Sequence, residues 1–228
     1  MQPTSIRALR RTELSRAAFE AVVQYGLRKT TLDKVGEIAG VSKGVVLHHF
    51  KDKSTLLEAV FRQSNTLLSD SFIELCSHAE DPYERLWAIV VANFSGTIFN
   101  RRVCQAWVAL LGEVAHNEHC QRVQTACNAR IYSNLCHELK HFLNKADTTR
   151  SAHQLSLLID GIWVRGGLQA EPLTSAAAIS DMEYAILNLL PADTESTARH
   201  HEARRKMENV GSILLGSKAY KEKAFPSQ

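Results

Sequence analysis

The sequence predicts an all-α protein, with a small three-helix unit at the N-terminal side and a larger helical body behind it. Apolar residues recur at helical spacing along almost the whole chain. No segment alternates apolar and polar residues as a half-buried strand would, and no Asn-Gly hairpin signal occurs. With 228 residues, 45% hydrophobic and 22% charged, the chain has ordinary globular composition and room for one large domain or two small ones.

Residues 5–25 read as the first helix, with Leu14, Ala17, Ala18, Ala21, Val22 and Tyr25 on its apolar stripe and Gly26 ending it. Arg7, Arg10 and Arg11 precede the stripe and suit either a DNA backbone contact or a solvated basic end. The stretch from Thr30 to Lys53 then reads as two short helices joined by a tight turn. Thr30 can cap the first, with Asp33 at the reciprocal position of a capping box, and the helix runs from Leu32 to Ala39. Gly36 sits inside it, where it costs about 1 kcal/mol relative to Ala, a cost that makes sense if a second helix packs closely there. Gly40 supplies the left-handed residue that ends the helix. Ser42 caps the second helix, Lys43 to about Phe50, whose inward face carries Val41, Val46 and Phe50.

Lys43, Gly44, Val45, Leu47, His48 and His49 are left to face outward. That small face suits a DNA major groove: Lys reaches guanine acceptors or phosphates, His donates to a base edge, and Val45 touches a thymine methyl. Two short helices around a Gly turn also make an ordinary helical hairpin. Charge favours the groove. Residues 1–62 hold eleven Lys/Arg against six Asp/Glu, whereas the remainder holds sixteen against eighteen. The excess positive charge of the chain therefore lies wholly beside the hairpin, as phosphate binding requires.

Asp52 starts a long helix to about Ser77, with Leu57, Val60, Phe61, Leu67, Leu68 and Leu75 as its stripe. About 25 residues span close to 38 Å at 1.5 Å per residue, enough to belong to two compact units and link them mechanically. Asp81-Pro82-Tyr83-Glu84 combines a cap, a first-position Pro and a third-position Glu, and opens a helix to about Phe99. Further helices are expected from Val103 to Ala115, from Glu118 to Leu143, from Arg150 to Gln169 after a loop at 144–149, and from Ser175 to Leu190. The expected division is a DNA-binding unit over 1–52, a body over 53–190 and a polar, partly disordered tail over 191–228, with a weak amphipathic helix near 196–215.

The helix at 150–169 is apolar on nearly all sides, so more than one face of it is covered. Leu155, Leu158, Ile159 and Ile162 form one stripe, and Ser156, Asp160, Trp163 and Gly167 another. The following helix adds Ile179, Met182, Ile186 and Leu189. The pair reads as a dimer interface built from Leu155, Leu158, Ile162, Met182, Ile186 and Leu189, with Asp160 and Trp163 turned inward. Two-fold symmetry would double a weak half-site contact on a palindromic operator.

Ala39-Gly40-Val41-Ser42, His48-His49-Phe50 and Lys53 resemble the helix-turn-helix of TetR-family one-component regulators. Two positions depart from the pattern: Val35-Gly36 replaces the usual Ile-Ala, and Leu47 replaces a frequent Tyr, with loss of that hydroxyl's phosphate contact. The resemblance implies a homodimer on double-stranded DNA, read through Thr31, Ser42, Lys43, Gly44, Val45, Leu47, His48, His49 and Lys53. Residues 106–109, 130–135 and 158–165 resemble the BetI branch of that family, repressors of choline-to-glycine-betaine genes whose effector is choline. That implies a small cationic effector among Trp107, Tyr132, Asp160 and Trp163. Indole faces attract a quaternary ammonium by about 0.5–2 kcal/mol, and a buried Asp neutralises it. Leu111 and Ser95 stand where the branch often has Trp and an acid, which leaves a related amine or another small molecule open. On the residues alone, Trp107 and Trp163 could equally be core, and Asp160 could pair with Arg130 or Arg165.

Other chemistry is spelled but poorly supported. His137-Glu138-Leu139-Lys140-His141 matches the HExxH pattern of zinc hydrolases, yet a third ligand at the usual spacing is absent. His116, His119, Cys120 and Cys127 offer a second set of donors. A metal-dependent hydrolase is thus the minor alternative, with no metal and no cofactor expected. Gly-rich phosphate loops and nucleophile elbows do not occur. Five scattered cysteines without a CxxC read as reduced thiols of a cytoplasmic protein. No apolar run approaches the length of a membrane helix, and the basic N-terminal residues have no apolar core behind them as a secretory signal would.

Overall fold

The computed structural model describes residues 6–191 and 193–225, the side chain of Lys53 excepted. These residues form eleven α-helices, one 3-10 turn and no strand. The first three helices, α1 (Ile6–Tyr25), α2 (Leu32–Ala39) and α3 (Lys43–His49), make a compact head. Leu14, Ala18, Ala21, Val22, Val35, Val46 and Phe50 are its buried contacts. From the head, α4 (Lys53–Cys76) leads into a body of α5 (Pro82–Phe94), α6 (Arg101–Val114), α7 (Glu118–Leu139), α8 (Lys145–Leu168) and α9 (Ser175–Leu189). The last two helices are α10 (Thr194–Leu214) and α11 (Lys218–Ala224).

The body is built around α5, whose residues from Leu86 to Phe94 are all buried. It is enclosed by α4, α7, α9 and α10, which explains why its sequence is apolar with little alternation. Asp81 caps it by accepting from Glu84 N at 2.9 Å. The helix stops at Phe94, short of the expected Phe99, because Ser95 takes an extended ψ of 139°. The turn that follows sends Ile98 and Phe99 back into the core. Similarly α7 ends at Leu139 and α8 begins at Lys145, so the segment expected as a loop is the first turn of α8. The reason is local: Asn144 accepts from Asp147 N at 3.1 Å and donates to its carboxylate at 2.7 Å, a reciprocal cap.

The largest difference lies beyond residue 191. The segment expected as a polar, partly disordered tail forms α10, over the stretch where a weak helix was expected, and also α11, both capped, by Asp193 and Ser217. His200, Ala203, Met207, Leu215, Ala224 and Phe225 from this segment are buried. Its few apolar residues fall on one narrow stripe, which the low overall hydrophobicity hid. His200 is enclosed by the rings of Tyr83 and Phe142, at 4.7 and 5.8 Å between centroids. Burial pushes its pKa down to about 4, and the neighbouring His201 adds to the effect. Residues 226–228 lie outside the described residues.

Candidate DNA-binding and effector sites

In the head, the hairpin forms where the sequence places it, with its cap one residue later than expected. Thr31 is the N-cap of α2, accepting from Lys34 N at 3.3 Å, while the Thr30 hydroxyl donates to Gly26 O at 2.9 Å. Gly40 takes φ 65° and ψ 32°, a region that suits glycine. The turn it makes brings Val41 N–H to Gly36 O at 2.8 Å. Gly36 is needed for that approach, because a Cβ there would stand 2.6 Å from the Val41 carbonyl oxygen.

The face of α3 follows the spacing in most positions, with Val41, expected inward, only half-buried. Val46 and Phe50 are fully buried, Lys43, Gly44, Leu47 and His48 are exposed, and Val45 and His49 are half-buried. Ser42 occupies the N-cap position of α3 without a side-chain capping bond. Thr31 and Ser42 stand exposed at the starts of the two helices. Lys53 opens α4, and its side chain lies outside the described residues. Arg11 has a definite role: it donates to His49 O at 3.2 Å and lies 4.8 Å over the Phe50 ring, fastening α1 to the end of α3. Lys43 is held by Asp33 at 2.9 Å, both side chains more than half exposed. The pKa of His49 is lowered, first by desolvation and then by His48, Arg7, Arg10 and Arg11. That cationic field disfavours a further proton in the free head, and phosphates placed against it would reverse the preference.

In the body, two of the four expected effector residues meet. Trp107 of α6 and Trp163 of α8 lie 6.1 Å apart between ring centroids, inclined at 55°. Phe61 of α4 packs on Trp107 and Phe99 on Trp163, each at 5.3 Å. Asp160 stands one turn before Trp163, and desolvation alone raises its pKa. Among the described residues it has no ion-pair partner. Arg130 instead donates to Asn65 O at 3.4 Å and to Cys127 Sγ at 3.7 Å. Burial raises the pKa of the Cys127 thiol, Arg130 lowers it, and the nearby charge of Asp160 adds a smaller rise. Asn65 adds a buried side-chain oxygen with no hydrogen-bond partner. Phe61, Phe99 and Asn65 were not legible as site residues, since Phe61 reads as one more apolar residue in the stripe of α4.

Tyr132 does not join them. Its hydroxyl interacts with the side chains of Cys136 and Thr149. Thr149 lies eleven residues before Asp160 on α8, about 16 Å along the helix. The antiparallel run of α7 against α8 separates what the sequence grouped. A cleft of about 320 Å³ opens between α4 and α7, lined by Arg62, Asn65, Cys127, Arg122 and Arg130 among others.

The residues expected at a dimer interface are mostly inside the chain. Leu155, Ile162, Met182 and Ile186 are buried in the intramolecular core, and Leu158 and Leu189 are half-buried. The exposed apolar residues of these helices are Leu157 at 56%, Leu168 at 67% and Tyr184 at 76%. The phase was misread because α8 is apolar on both sides, with Leu157 and Leu158 adjacent in sequence.

HExxH serves other purposes. Glu138 is buried and bound by Arg85 at 2.9 Å, so its carboxylate is engaged within the fold. His137 points outward and His141 lies past the end of α7. No group of three or more His, Cys, Asp or Glu able to hold a metal occurs among the described residues. His119 pairs with Glu58 at 3.2 Å. Among the described residues no helix is long and apolar enough to cross a membrane. The five cysteines are free thiols, and burial pushes Cys104 up to about 12.

Comparison with known proteins agrees with this arrangement. Residues 14–60 match the model of bacterial regulatory proteins of the tetR family, and residues 82–191 match that of the BetI-type transcriptional repressor, C-terminal. The chain is 35% identical over 180 residues to the HTH-type transcriptional regulator BetI 2 of Chromohalobacter salexigens, covering 78% of this chain and 87% of that one.

The chain belongs to the TetR family.

Within that family it is also similar to the regulator BetI of Burkholderia ambifaria, 35% identical over 194 residues, 85% of this chain and 100% of the relative. A transcriptional regulator from Saccharomonospora viridis, solved in complex with choline, shares the fold with a TM-score of 0.68 at 18% identity, covering 77% of this chain and 94% of that one. As a TetR-family, BetI-type transcriptional regulator, the protein is a DNA-binding protein and not an enzyme.

Proposed function

We propose that the protein acts as a homodimer that represses transcription from a palindromic operator and is released by a small cationic, choline-like effector. The head comprises residues 1–52, with Thr31, Ser42, Lys43, Gly44, Val45, Leu47, His48, His49 and Lys53 as its DNA-contacting set. The two protomers meet through the exposed face of α8 and α9 carrying Leu157, Leu168 and Tyr184. The effector sits against Trp107, Trp163 and Asp160, with Phe61 and Phe99 backing the indoles.

The observation that carries the cationic reading is Asp160, a desolvated carboxylate without an ion-pair partner among the described residues, one turn before Trp163 of the inclined indole pair. A quaternary ammonium supplies the missing charge and gains the attraction of the rings. It releases DNA only by its differential affinity for two head spacings, because two recognition helices must fit grooves one DNA turn apart, about 34 Å. The helix α4 is placed to carry that difference, with the head at one end and Phe61 against Trp107 farther along.

The three arginines of the α4–α7 cleft favour a second reading, an effector bearing a carboxylate. Calorimetric titration of choline, glycine betaine and a simple carboxylate separates the two. Choline should give saturable heat that Asp160→Asn abolishes while DNA binding persists. Heat from the carboxylate alone would transfer the site to the arginine cleft, and heat from none of them would return Asp160 to a structural role.

A further inference from the structure

The two matched family regions end at residue 191, yet the chain continues as α10 and α11 across the junction between body and head. Along α5, Gly211 lets α10 approach closely: a Cβ there would come within 2.6 Å of a Val91 methyl. Leu215 O accepts from the Thr97 hydroxyl at 2.8 Å. Then α11 reaches the later half of α4, where Tyr220 hydrogen-bonds Ser71 and Lys223 lies 2.6 Å from Asp70. The segment finishes on the head. Phe225, 3% exposed, stacks on Phe19 of α1 with ring centroids 6.1 Å apart and planes 22° from parallel. Val23 of α1, Val103 of α6 and Phe225 line one cleft at that joint.

Besides the chain itself, which runs from α3 into the start of α4, α1 packs directly on α4 and α6. The contacts of α11 add a further path between head and body. It leaves α4 at Asp70 and Ser71, about 25 Å along that helix from its start, and returns to the head at Phe19. A swing of α1 about the start of α4 cannot occur without separating the Phe19 and Phe225 rings and exposing both. Stacked aromatic pairs prefer a defined offset geometry, so this contact sets an orientation as well as a proximity.

We propose that α11 with Phe225 is a positioning element for the DNA-binding head, a latch that holds α1 to the body half of α4 and fixes how α3 is presented. The proposal rests on reading residues 6–49 as the DNA-binding head, and its test separates the two. In the full-length protein, Phe225→Ala, Phe225→Leu and deletion of residues 218–228 are compared by amide hydrogen exchange and by affinity for a duplex carrying the region upstream of its own coding sequence. The latch predicts at least tenfold faster exchange in α1 for the alanine variant and the deletion, with α5 and α8 unchanged. It also predicts about tenfold weaker duplex binding, equivalent to about 1.4 kcal/mol, with Phe225→Leu restoring part of both. Unchanged exchange in α1 in Phe225→Ala overturns the latch, whatever happens to affinity. Should the deletion unfold the whole chain, the alanine and leucine pair decides by the same criterion. If the wild-type protein fails to bind DNA, the reading of the head is at fault, and exchange in α1 still decides whether the latch exists.

Discussion

The turn between α2 and α3 and the helix pair α8–α9 present opposite problems to anyone reading this chain. In the turn, every signal is local and points one way. Gly40 must take a positive φ, Gly36 must lack a Cβ, and Val46 and Phe50 are the buried apolar residues of a seven-residue helix and its cap. In α8 and α9 the signals conflict, because leucines and isoleucines occur all round and only packing decides which side is inside. The difference teaches that a helix with one covered side can be phased from sequence, whereas a helix between two covers cannot.

Two substitutions two residues apart on α9 test that lesson with the largest effect. Ile186→Arg buries an unpaired charge in the core of the body and should cost several kcal/mol, giving unfolded or insoluble protein. Tyr184→Arg, on the 76% exposed neighbour, should leave helicity and melting nearly intact and yield a monomer. Circular dichroism and sedimentation equilibrium check both outcomes. A well-folded Ile186→Arg monomer would restore the buried stripe as the interface. A Tyr184→Arg dimer would place the interface elsewhere.

The same contrast governs what else was legible. The helix count through α9, the head and the outward face of α3 follow from caps, glycines and periodicity. Trp107 and Trp163 were named together through the resemblance to the BetI branch; on the residues alone both could equally be core. Phe61 and Asn65 could not, since nothing in α4 marks which residues meet α6 and α7. Tyr132 was misplaced for the complementary reason: its distance from Asp160 depends on the register between α7 and α8. In the tail the helix expected near 196–215 forms as α10, but its docking and the helix α11 were missed because their anchors, His200, Met207, Leu215 and Phe225, are spaced thinly among charges. The body supplies the apolar surface that makes their burial favourable.

His200 gives that misreading a measurable consequence. Its pKa is pushed down to about 4, chiefly by burial, against 6.5 for the unfolded chain. The unfolded state therefore takes the proton first. Stability from the neutral ring is fully present above pH 6.5 and is lost as pH falls toward 4. Between pH 7 and pH 5 the loss should be about 2 kcal/mol. His200→Phe, which keeps a ring against Tyr83 and Phe142, should be less acid-sensitive by that amount in urea denaturation at the two pH values. Equal sensitivity would mean that α10 is not held through this ring.

Gly36→Ala probes the turn with a comparable or smaller effect. The added methyl meets a backbone oxygen at 2.6 Å, and a backbone cannot rotate away as a side-chain tip can. Overpacking of this kind costs about 1–3 kcal/mol, enough to offset the roughly 1 kcal/mol gained in helix propensity. Because the strain falls between α2 and α3, duplex affinity should drop by more than the stability loss explains. Gly112→Ala, in α6, where a Cβ meets nothing within 4 Å, is the control and should keep full affinity. Thermal melts with anisotropy titrations on the same samples check both.

The smallest effect concerns Lys43, exposed on the face of α3 proposed to contact DNA yet held by Asp33 at 2.9 Å. Both groups are more than half exposed, so the pair adds at most about 1 kcal/mol to stability. Asp33 also lies in the first turn of α2, where a carboxylate favours the helix dipole by a few tenths of a kcal/mol. Asp33→Asn should therefore melt only slightly lower. Its effect on DNA has two possible signs. If the ion pair competes with phosphate, removing the carboxylate frees Lys43, removes one negative charge from the face, and should raise duplex affinity about two- to threefold. If Asp33 instead orients Lys43 toward a base edge, Asp33→Asn should lower specific affinity and leave mixed-sequence affinity unchanged. The exposure of both groups favours competition, because neither side chain is buried enough to be fixed by its partner. Lys43→Ala completes the cycle. A double variant no weaker than Lys43→Ala alone would show that Asp33 acts through Lys43, and a weaker one would show that it holds α2 in place.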